Sequence, residues 1–443
     1  MTLLTILIVE DSDPKFEEVE KALFADIKQY IKSIDRAIDF TTASRLLNIK
    51  HYDLVILDIR LPVLRGGLTD RRNSSDIVEL ITRGQAINPS YIIGLTEYPE
   101  ELVVGDSYPL EYFSIERYST SSDIWRKKLS RHIQSIIRTK IAAVNFHETS
   151  FDFDVVILTA RADNEFRAID ASMKWEIDTT TSETRFPAFK VKTGIWNTSG
   201  GYALRTALIC IQRTGLSSSA SAASFALARY RPRIIAMLGM CCGLNGPKTS
   251  DPQELGDIII MSDTYCWDEG RYSDPKATSK NGSNESERSF FEARPSSEHI
   301  SPSLKLHAGS LVESDQVLVR QKLTHTYAKH KSVKAINAAG KAVPSSPKIR
   351  LGLNVSGSSV VAAAAQSREI FRRFPLALGL EMECHSVYAA AAFCPGAPPE
   401  AICIKGVADF GDGTKSKEFQ QIASVGSLIV FDHIVDSFWA GGR

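Results

Sequence analysis

An apolar run ending in Gly379-Leu-Glu-Met-Glu-Cys384, followed one Ala-rich helix later by Ala401-Ile-Cys-Ile-Lys-Gly-Val-Ala-Asp409, constrains this chain more than any other part of it. Both segments read as buried strands that deliver acids at their ends: Glu381 and Glu383 in the first, Asp409 in the second. Buried strands that end on carboxylates belong at the edge of an α/β sheet where such sheets hold their ligands. Taken alone, a Glu-x-Glu equally marks a solvated helix start stabilised by the helix dipole. The order of several further motifs decides between the two.

Those motifs run through the second part of the chain. Phe153-Asp-Val-Val-Ile-Leu-Thr-Ala-Arg-Ala-Asp-Asn-Glu-Phe166 reads as a strand, a turn and a helix entry. Arg233-Ile-Ile-Ala-Met-Leu-Gly-Met-Cys-Cys-Gly-Leu-Asn-Gly246 predicts an apolar strand that breaks into a glycine-flanked loop. Glu254-Leu-Gly-Asp-Ile-Ile-Ile-Met261 reads as another strand, and Asn354-Val-Ser-Gly-Ser-Ser-Val-Val361 as a strand end with a loop. In this order the segments resemble the purine nucleoside phosphorylase and nucleosidase superfamily over roughly residues 150 to 440. The resemblance implies an α/β domain with a mixed central sheet that cleaves the bond between a purine and ribose. It assigns Met382 to the underside of the ribose, Glu383 to the sugar hydroxyls, Asp409 to the general acid at the purine and Glu165 to activation of water. Ser356 falls in the loop that borders the base. Val360 stands where nucleosidases often carry phenylalanine, which leaves Trp267 or Tyr265 as candidate stacking partners.

The chemistry asks for these residue types. Cleavage of an N-glycosidic bond builds positive charge on ribose and negative charge on the departing base, as in other glycosyl transfers. A carboxyl whose pKa is raised by burial can protonate the base, and a second carboxylate across the sugar can deprotonate water. A phosphorylase needs an anion site of glycine-rich backbone with arginines. The turn Thr159-Ala-Arg161 offers no glycine, and Glu165 would repel a phosphate nucleophile, so water is the expected acceptor. Arg161, Lys405 and Arg271 are candidates for phosphates already on the nucleoside; any single arginine equally serves as a surface ion-pair partner. No cofactor is expected for the cleavage itself. The polar stretch 268–303 is longer than a connection requires, and its composition favours disorder over a lid.

The first 140 residues carry a separate pattern. Leu3-Leu-Thr-Ile-Leu-Ile-Val-Glu-Asp-Ser12, His51-Tyr-Asp-Leu-Val-Ile-Leu-Asp-Ile-Arg-Leu-Pro62 and Tyr91-Ile-Ile-Gly-Leu-Thr96 each read as a buried strand. They end on Glu10 and Asp11, on Asp58 and on Thr96, which at one sheet edge would make a phosphorylatable metal site. This resembles the receiver domain of bacterial response regulators, a flavodoxin-like α/β fold. The resemblance implies Asp58 as phosphoacceptor, Glu10, Asp11 and Asp58 as oxygen ligands suited to Mg²⁺, and Thr96 as the residue that senses phosphorylation. Receivers place a lysine after the fifth strand. This chain reads Glu111-Tyr-Phe-Ser-Ile-Glu-Arg-Tyr118 there, with Arg117 as an imperfect substitute. The loop after Pro62 is stretched by residues 66–75.

At 443 residues the chain suits two cores rather than one. The expected division is a receiver over residues 1–140, a linker over 141–150, and a phosphorylase/nucleosidase-like catalytic domain over 151–443. Lys and Arg together number 52, as do Asp and Glu, so no global field draws the chain to nucleic acid, and no recognition-helix pattern is present. All seven cysteines lie beyond residue 200 without zinc-site spacing and read as reduced core residues. The N-terminus has no leader pattern, and no apolar run approaches the ~20 residues of a membrane span. The cytoplasm is the expected compartment.

A receiver joined to a nucleoside-cleaving domain resembles the effector of Detocs, a bacterial antiphage defence system. The resemblance implies a purine nucleotide as partner, ATP favoured, cleaved to adenine and ribose 5′-triphosphate. It also implies a sensor kinase or phosphotransfer protein that phosphorylates the receiver. A homo-oligomer is expected by analogy. Two alternatives stay open: a regulated AMP or nucleoside nucleosidase or phosphorylase of nucleotide turnover, and a non-catalytic phosphate sink that binds nucleotide.

Overall fold

The computed structural model describes residues 3–98, 113–183, 188–245, 250–273, 290–411, 413 and 417–441. The chain divides into two compact units, Met1–His147 and Glu148–Arg443.

In the first unit the strands β1 (Leu4–Val9), β2 (Ile31–Ala37), β3 (Leu54–Asp58), β4 (Ile92–Thr96) and β5 (Ser114–Arg117) form a parallel sheet in the order 2-1-3-4-5. β1 and β3 are buried along their whole length, as central strands covered on both faces must be, which explains their unbroken apolar sequence. The helices α1 (Asp13–Ile27), α2 (Phe40–Ile49), α3 (Arg71–Thr82) and α4 (Ile124–Thr149) supply the covering layers. Two separate apolar clusters result. Leu4, Ile6, Ile8, Trp125 and Leu129 lie in one; Leu7, Val9, Leu57, Ile77 and Val78 lie in the other. The alternation of β1 residues between them is the period-2 rule of a strand.

One expectation changes here. The stretch 66–75 is not one long loop: Leu61–Pro62 pairs with Thr69–Asp70 in a short hairpin, and α3 begins at Arg71, its N-terminus capped by Asp70, which accepts from Arg72 N at 2.9 Å. α4 itself runs on to Thr149, into the segment 141–150.

The second unit is built on a mixed sheet. The parallel core runs β7 (Ala203–Cys210), β6 (Phe153–Thr159), β8 (Pro232–Gly243) and β12 (Glu400–Asp409). β12 pairs antiparallel with β9 (Ile258–Cys266); β9 pairs parallel with β10 (Ile349–Ser356) and β10 parallel with β11 (Gly379–Glu381), which returns antiparallel to β8. The pairing therefore closes on itself through β8, β12, β9, β10 and β11. This closure explains why the glycine-flanked stretch after Met237 is strand and not loop. Met240 and Cys241 find ladder partners in β12, and Cys242 and Gly243 pair with β11 as well. Helices α5 (Leu216–Tyr230), α6 (Cys384–Ala392) and α7 (Gln420–Ala440) pack on the sheet.

α7 corrects a further expectation. It is long and apolar enough to cross a membrane by length and composition, but 78% of its most apolar window is buried inside this unit. It is the core helix of the domain. All seven cysteines are free thiols, six of them buried. Of the polar stretch 268–303, residues 274–289 lie outside the described residues; the residues beside them pair as a hairpin, Gly270–Ser273 with Phe290–Ala293.

Candidate active site and candidate phosphoacceptor site

A cleft of about 150 Å³ in the second unit is lined by the ends of β6, β8, β11 and β12, and Glu165, Met382, Glu383 and Asp409 all face it. Four residues from three widely separated segments thus share one cavity. A larger cavity of about 490 Å³ between α5 and α6 is lined mainly by small and apolar groups such as Ala220, Leu227 and Phe393, and lacks the paired acids that the chemistry requires.

Glu165 is 1% exposed. The chain after β6 makes one wide turn, Ala162–Phe166, which folds the carboxylate back toward its own strand. There it accepts from Ala160 N at 2.7 Å, Arg161 N at 2.9 Å and Met240 N at 3.1 Å. Three amide dipoles replace the water that a buried carboxylate has lost. Gly239, with φ +144°, makes room for it: a Cβ there would collide with Glu165 Oε1.

Glu383 is 4% exposed and Lys405 is fully buried. Their side chains approach to 3.4 Å, and Glu383 also accepts from Gly215 N at 3.4 Å. Burial pushes the Glu383 carboxyl up to about 7, against the pull of Lys405 and with the help of Glu381 and Glu165. Burial works against the Lys405 charge, yet Glu383, Glu165 and Glu381 around it hold its pKa well above the ordinary lysine value. Lys405 does not line the cleft; it acts on the site through Glu383.

Glu381 has a different job from Glu383. It accepts from Glu383 N at 2.7 Å and Cys384 N at 2.8 Å, which ties down the free amides at the start of α6. Both acids of the Glu-x-Glu pair line the cleft, but only the first is also the helix-start carboxylate. Ser356 is fully buried and spends its hydroxyl on Glu381, while its oxygen accepts from His385 N. It braces Glu381 and does not line the cleft, so its assignment as a substrate contact is corrected. Arg271 sits exposed on the hairpin strand Gly270–Ser273 and is likewise absent from the lining. Trp267 packs against Gly357, and Tyr265 stacks on Phe374 with ring centroids 6.0 Å apart. Neither lines the cleft, whereas Val360 does. Asp409 is half-buried, less enclosed than its strand suggested, and its carboxylate accepts from Gly411 N at 3.1 Å.

Met240, Cys241 and Cys242, from the glycine-flanked motif, also line this cleft, as do Thr214 and Gln420, which no motif marks. Beside it lies a polar groove of about 610 Å³ lined by Arg161, Asp163, Asn164, Gln212, Arg213 and Ser218, among others. The two cavities share Ala160, Arg161 and Thr214. Thr214 and Gly215 lie in the short connection between the buried strand β7 and α5, the signal that could have located them.

The family model described as the phosphorylase superfamily matches residues 154–435. This chain belongs to that superfamily. It is 25% identical to the uncharacterized protein y4jS of Sinorhizobium fredii, over 98% of this chain and 99% of the relative. It is 30% identical to the transcriptional regulatory protein MalR of Bacillus subtilis over 28% of this chain and 52% of that protein. Similar solved structures include a 5′-methylthioadenosine/S-adenosylhomocysteine nucleosidase from Neisseria meningitidis, 16% identical, covering 64% of this chain and 99% of its own, with a TM-score of 0.43. Futalosine hydrolase of Helicobacter pylori is 11% identical, covering 64% and 98%, with a TM-score of 0.43.

In the first unit, Glu10, Asp11 and Asp58 offer carboxylate oxygens within 4.8 Å of one another. The set is all hard oxygen and partly open to solvent at Asp11, a donor set that fits Mg²⁺ with several of its waters retained. Thr96 ends β4, fully buried, in a strand that pairs with the Asp58 strand, and its hydroxyl oxygen accepts from Tyr98 N at 3.1 Å. Burial, with Asp58 beside it, pushes the Glu10 carboxyl up to about 7. Arg117 is exposed and does not take the place of the missing lysine. Lys15, on α1, reaches into the pocket instead, and nothing in its sequence context marks it.

Proposed function

We propose that the second unit is a purine nucleotide N-glycosidase that hydrolyses ATP to adenine and ribose 5′-triphosphate, switched by phosphorylation of Asp58. The observation that carries this reading is the cleft in which Glu165 and Asp409 meet Met382 and Glu383. In this reading Asp409, half-open at the end of β12, donates to the departing purine. Glu383, with its countercharge behind it, accepts from the ribose hydroxyls, and Met382 lies along the sugar. Glu165, immobilised by three amides, orients and deprotonates water.

Water rather than phosphate is the acceptor in this reading. The amides of Ala160, Arg161 and Met240, which could have cradled a phosphate, already donate to the Glu165 carboxylate. The adjoining groove with Arg161 and Arg213 supports a substrate with an anionic 5′ chain over a bare nucleoside. The arrangement of acids and threonine in the first unit, together with the partial likeness to a transcriptional regulatory protein, supports the receiver reading. Bound there, Mg²⁺ would be held by Glu10, Asp11 and Asp58 and would neutralise charge on an incoming phosphoryl group. Retention of both Glu165 and Asp409 at the cleft speaks against a mere phosphate sink. A role as an antiphage effector, fed by a sensor kinase, rests on the resemblance of the whole architecture to Detocs.

The test is incubation of the purified chain, with and without acetyl phosphate, against ATP, AMP and adenosine, with products identified by mass. Adenine and a triphosphorylated pentose are expected from ATP. Cleavage of AMP or adenosine alone would move the protein to nucleotide turnover, and a requirement for inorganic phosphate would make it a phosphorylase. Asp58→Ala should block stimulation by acetyl phosphate and leave unstimulated nucleotide binding intact.

A further inference from the structure

An aspartyl phosphate needs a cation beside it, and β5 supplies none. Its sequence is Ser114-Ile-Glu-Arg117. Glu116 is buried against Lys128 and His132, and Arg117 is exposed. The cation in the pocket comes from the other end of the unit's sequence. Lys15, in the first turn of α1, is 2% exposed. Its ammonium lies 2.8 Å from Glu10 Oε2, 3.0 Å from Asp58 Oδ1 and 3.1 Å from the Leu95 carbonyl oxygen. The Tyr118 ring covers it, with the centroid 5.5 Å away. Three acceptors match the three donors of an ammonium, the arrangement a buried lysine needs to keep its charge.

We propose that Lys15 is the phosphoryl-pairing lysine of this unit, supplied by α1 in place of the lysine that β5 lacks. The inference rests on the reading of Asp58 as phosphoacceptor. In the transfer, an Asp58 carboxylate oxygen attacks the phosphorus of an acyl phosphate or phosphohistidine. The new O–P bond forms as the donor's bond to phosphorus breaks and the donor leaves with that electron pair. Asp58 thereby exchanges one negative charge for an acyl phosphate carrying up to two. Lys15 is already in contact with Asp58 Oδ1, so it meets the added charge without a long side-chain movement. Its position on α1 ties the phosphorylation state to that helix rather than to the end of β5.

The experiment uses the full chain with Mg²⁺ and acetyl phosphate, with phosphorylation followed by intact mass and by mobility on a phosphate-affinity gel. Lys15→Met should slow phosphate uptake about 10- to 100-fold, the worth of one hydrogen bond to a charged group. Arg117→Ala should match the wild type. Mg²⁺ affinity, read by calorimetry, should rise in Lys15→Met because a positive neighbour has gone; a merely structural lysine would lower uptake and Mg²⁺ affinity together. If Lys15→Met fails to fold, Lys15→Gln keeps a donor in the pocket and should show the same fall in uptake. Phosphorylation of either folded variant at the wild-type rate overturns the assignment of Lys15 alone. A wild-type chain that takes no phosphate on Asp58 overturns the receiver reading and the inference with it.

Discussion

The ammonium of Lys405 lies 3.4 Å from the carboxylate of Glu383, and neither side chain is more than slightly open to solvent. The pair joins the middle of β12 to the start of α6, and it sets the charge where Glu383 lines the cleft. Removal of one partner leaves the other buried without compensation. Lys405→Met is therefore expected to lower stability by about 3–5 kcal/mol, read as a fall in the urea midpoint. It should also raise KM for nucleotide more than it lowers kcat, because a neutral Glu383 accepts weakly from the ribose hydroxyls.

The same carboxyl predicts a pH dependence. Burial raises Glu383 to about 7 from its ordinary 4.5, so between these values the folded chain holds a proton that the unfolded chain releases. Stability from this group falls as pH rises through that window. Substrate binding runs the other way: the charged form accepts the sugar hydroxyls, so kcat/KM should fall as pH drops below about 7. The pH profile of Glu383→Gln should lose that limb.

Glu165 and Asp409 differ in enclosure, and their variants should differ accordingly. Either Glu165→Gln or Asp409→Asn is expected to cut adenine release about 10²–10⁴-fold. Glu165→Gln also sets an amide NH₂ against one of the three backbone donors and should cost about 1–3 kcal/mol. Asp409→Asn should melt within a degree or so of the wild type. Equal Tm values for the two variants would argue against the amide clamp.

Gly239 tests the clamp from the other side. Its φ of +144°, and the collision that a Cβ at this position would make with Glu165 Oε1, mean that Gly239→Ala strains the backbone and displaces the carboxylate. A loss of activity comparable to Glu165→Gln is expected, with about 1–3 kcal/mol of destabilisation. Arg271→Ala, on the exposed hairpin, should leave KM unchanged.

Much of this was legible in the order of residues along the chain. Apolar runs that end on Glu10, Asp58, Glu383 and Asp409 announce strands whose last residue must face a polar edge, because the run sets burial and the charge sets where burial stops. The period-2 division of β1 between two clusters follows from the same rule. Partnerships across long separations were not legible. Met240 N reaches Glu165 from 75 residues away, and the Lys405 ammonium meets Glu383 across 22. Ser356 has the right place in its motif, but its hydroxyl is already committed to Glu381. Lys15 reads like any surface lysine of an amphipathic helix. Local sequence decides which face an element buries and what chemistry stands at its ends. Which ends meet, and which polar groups satisfy one another there, follows from the packing of helices and strands that closes only in three dimensions.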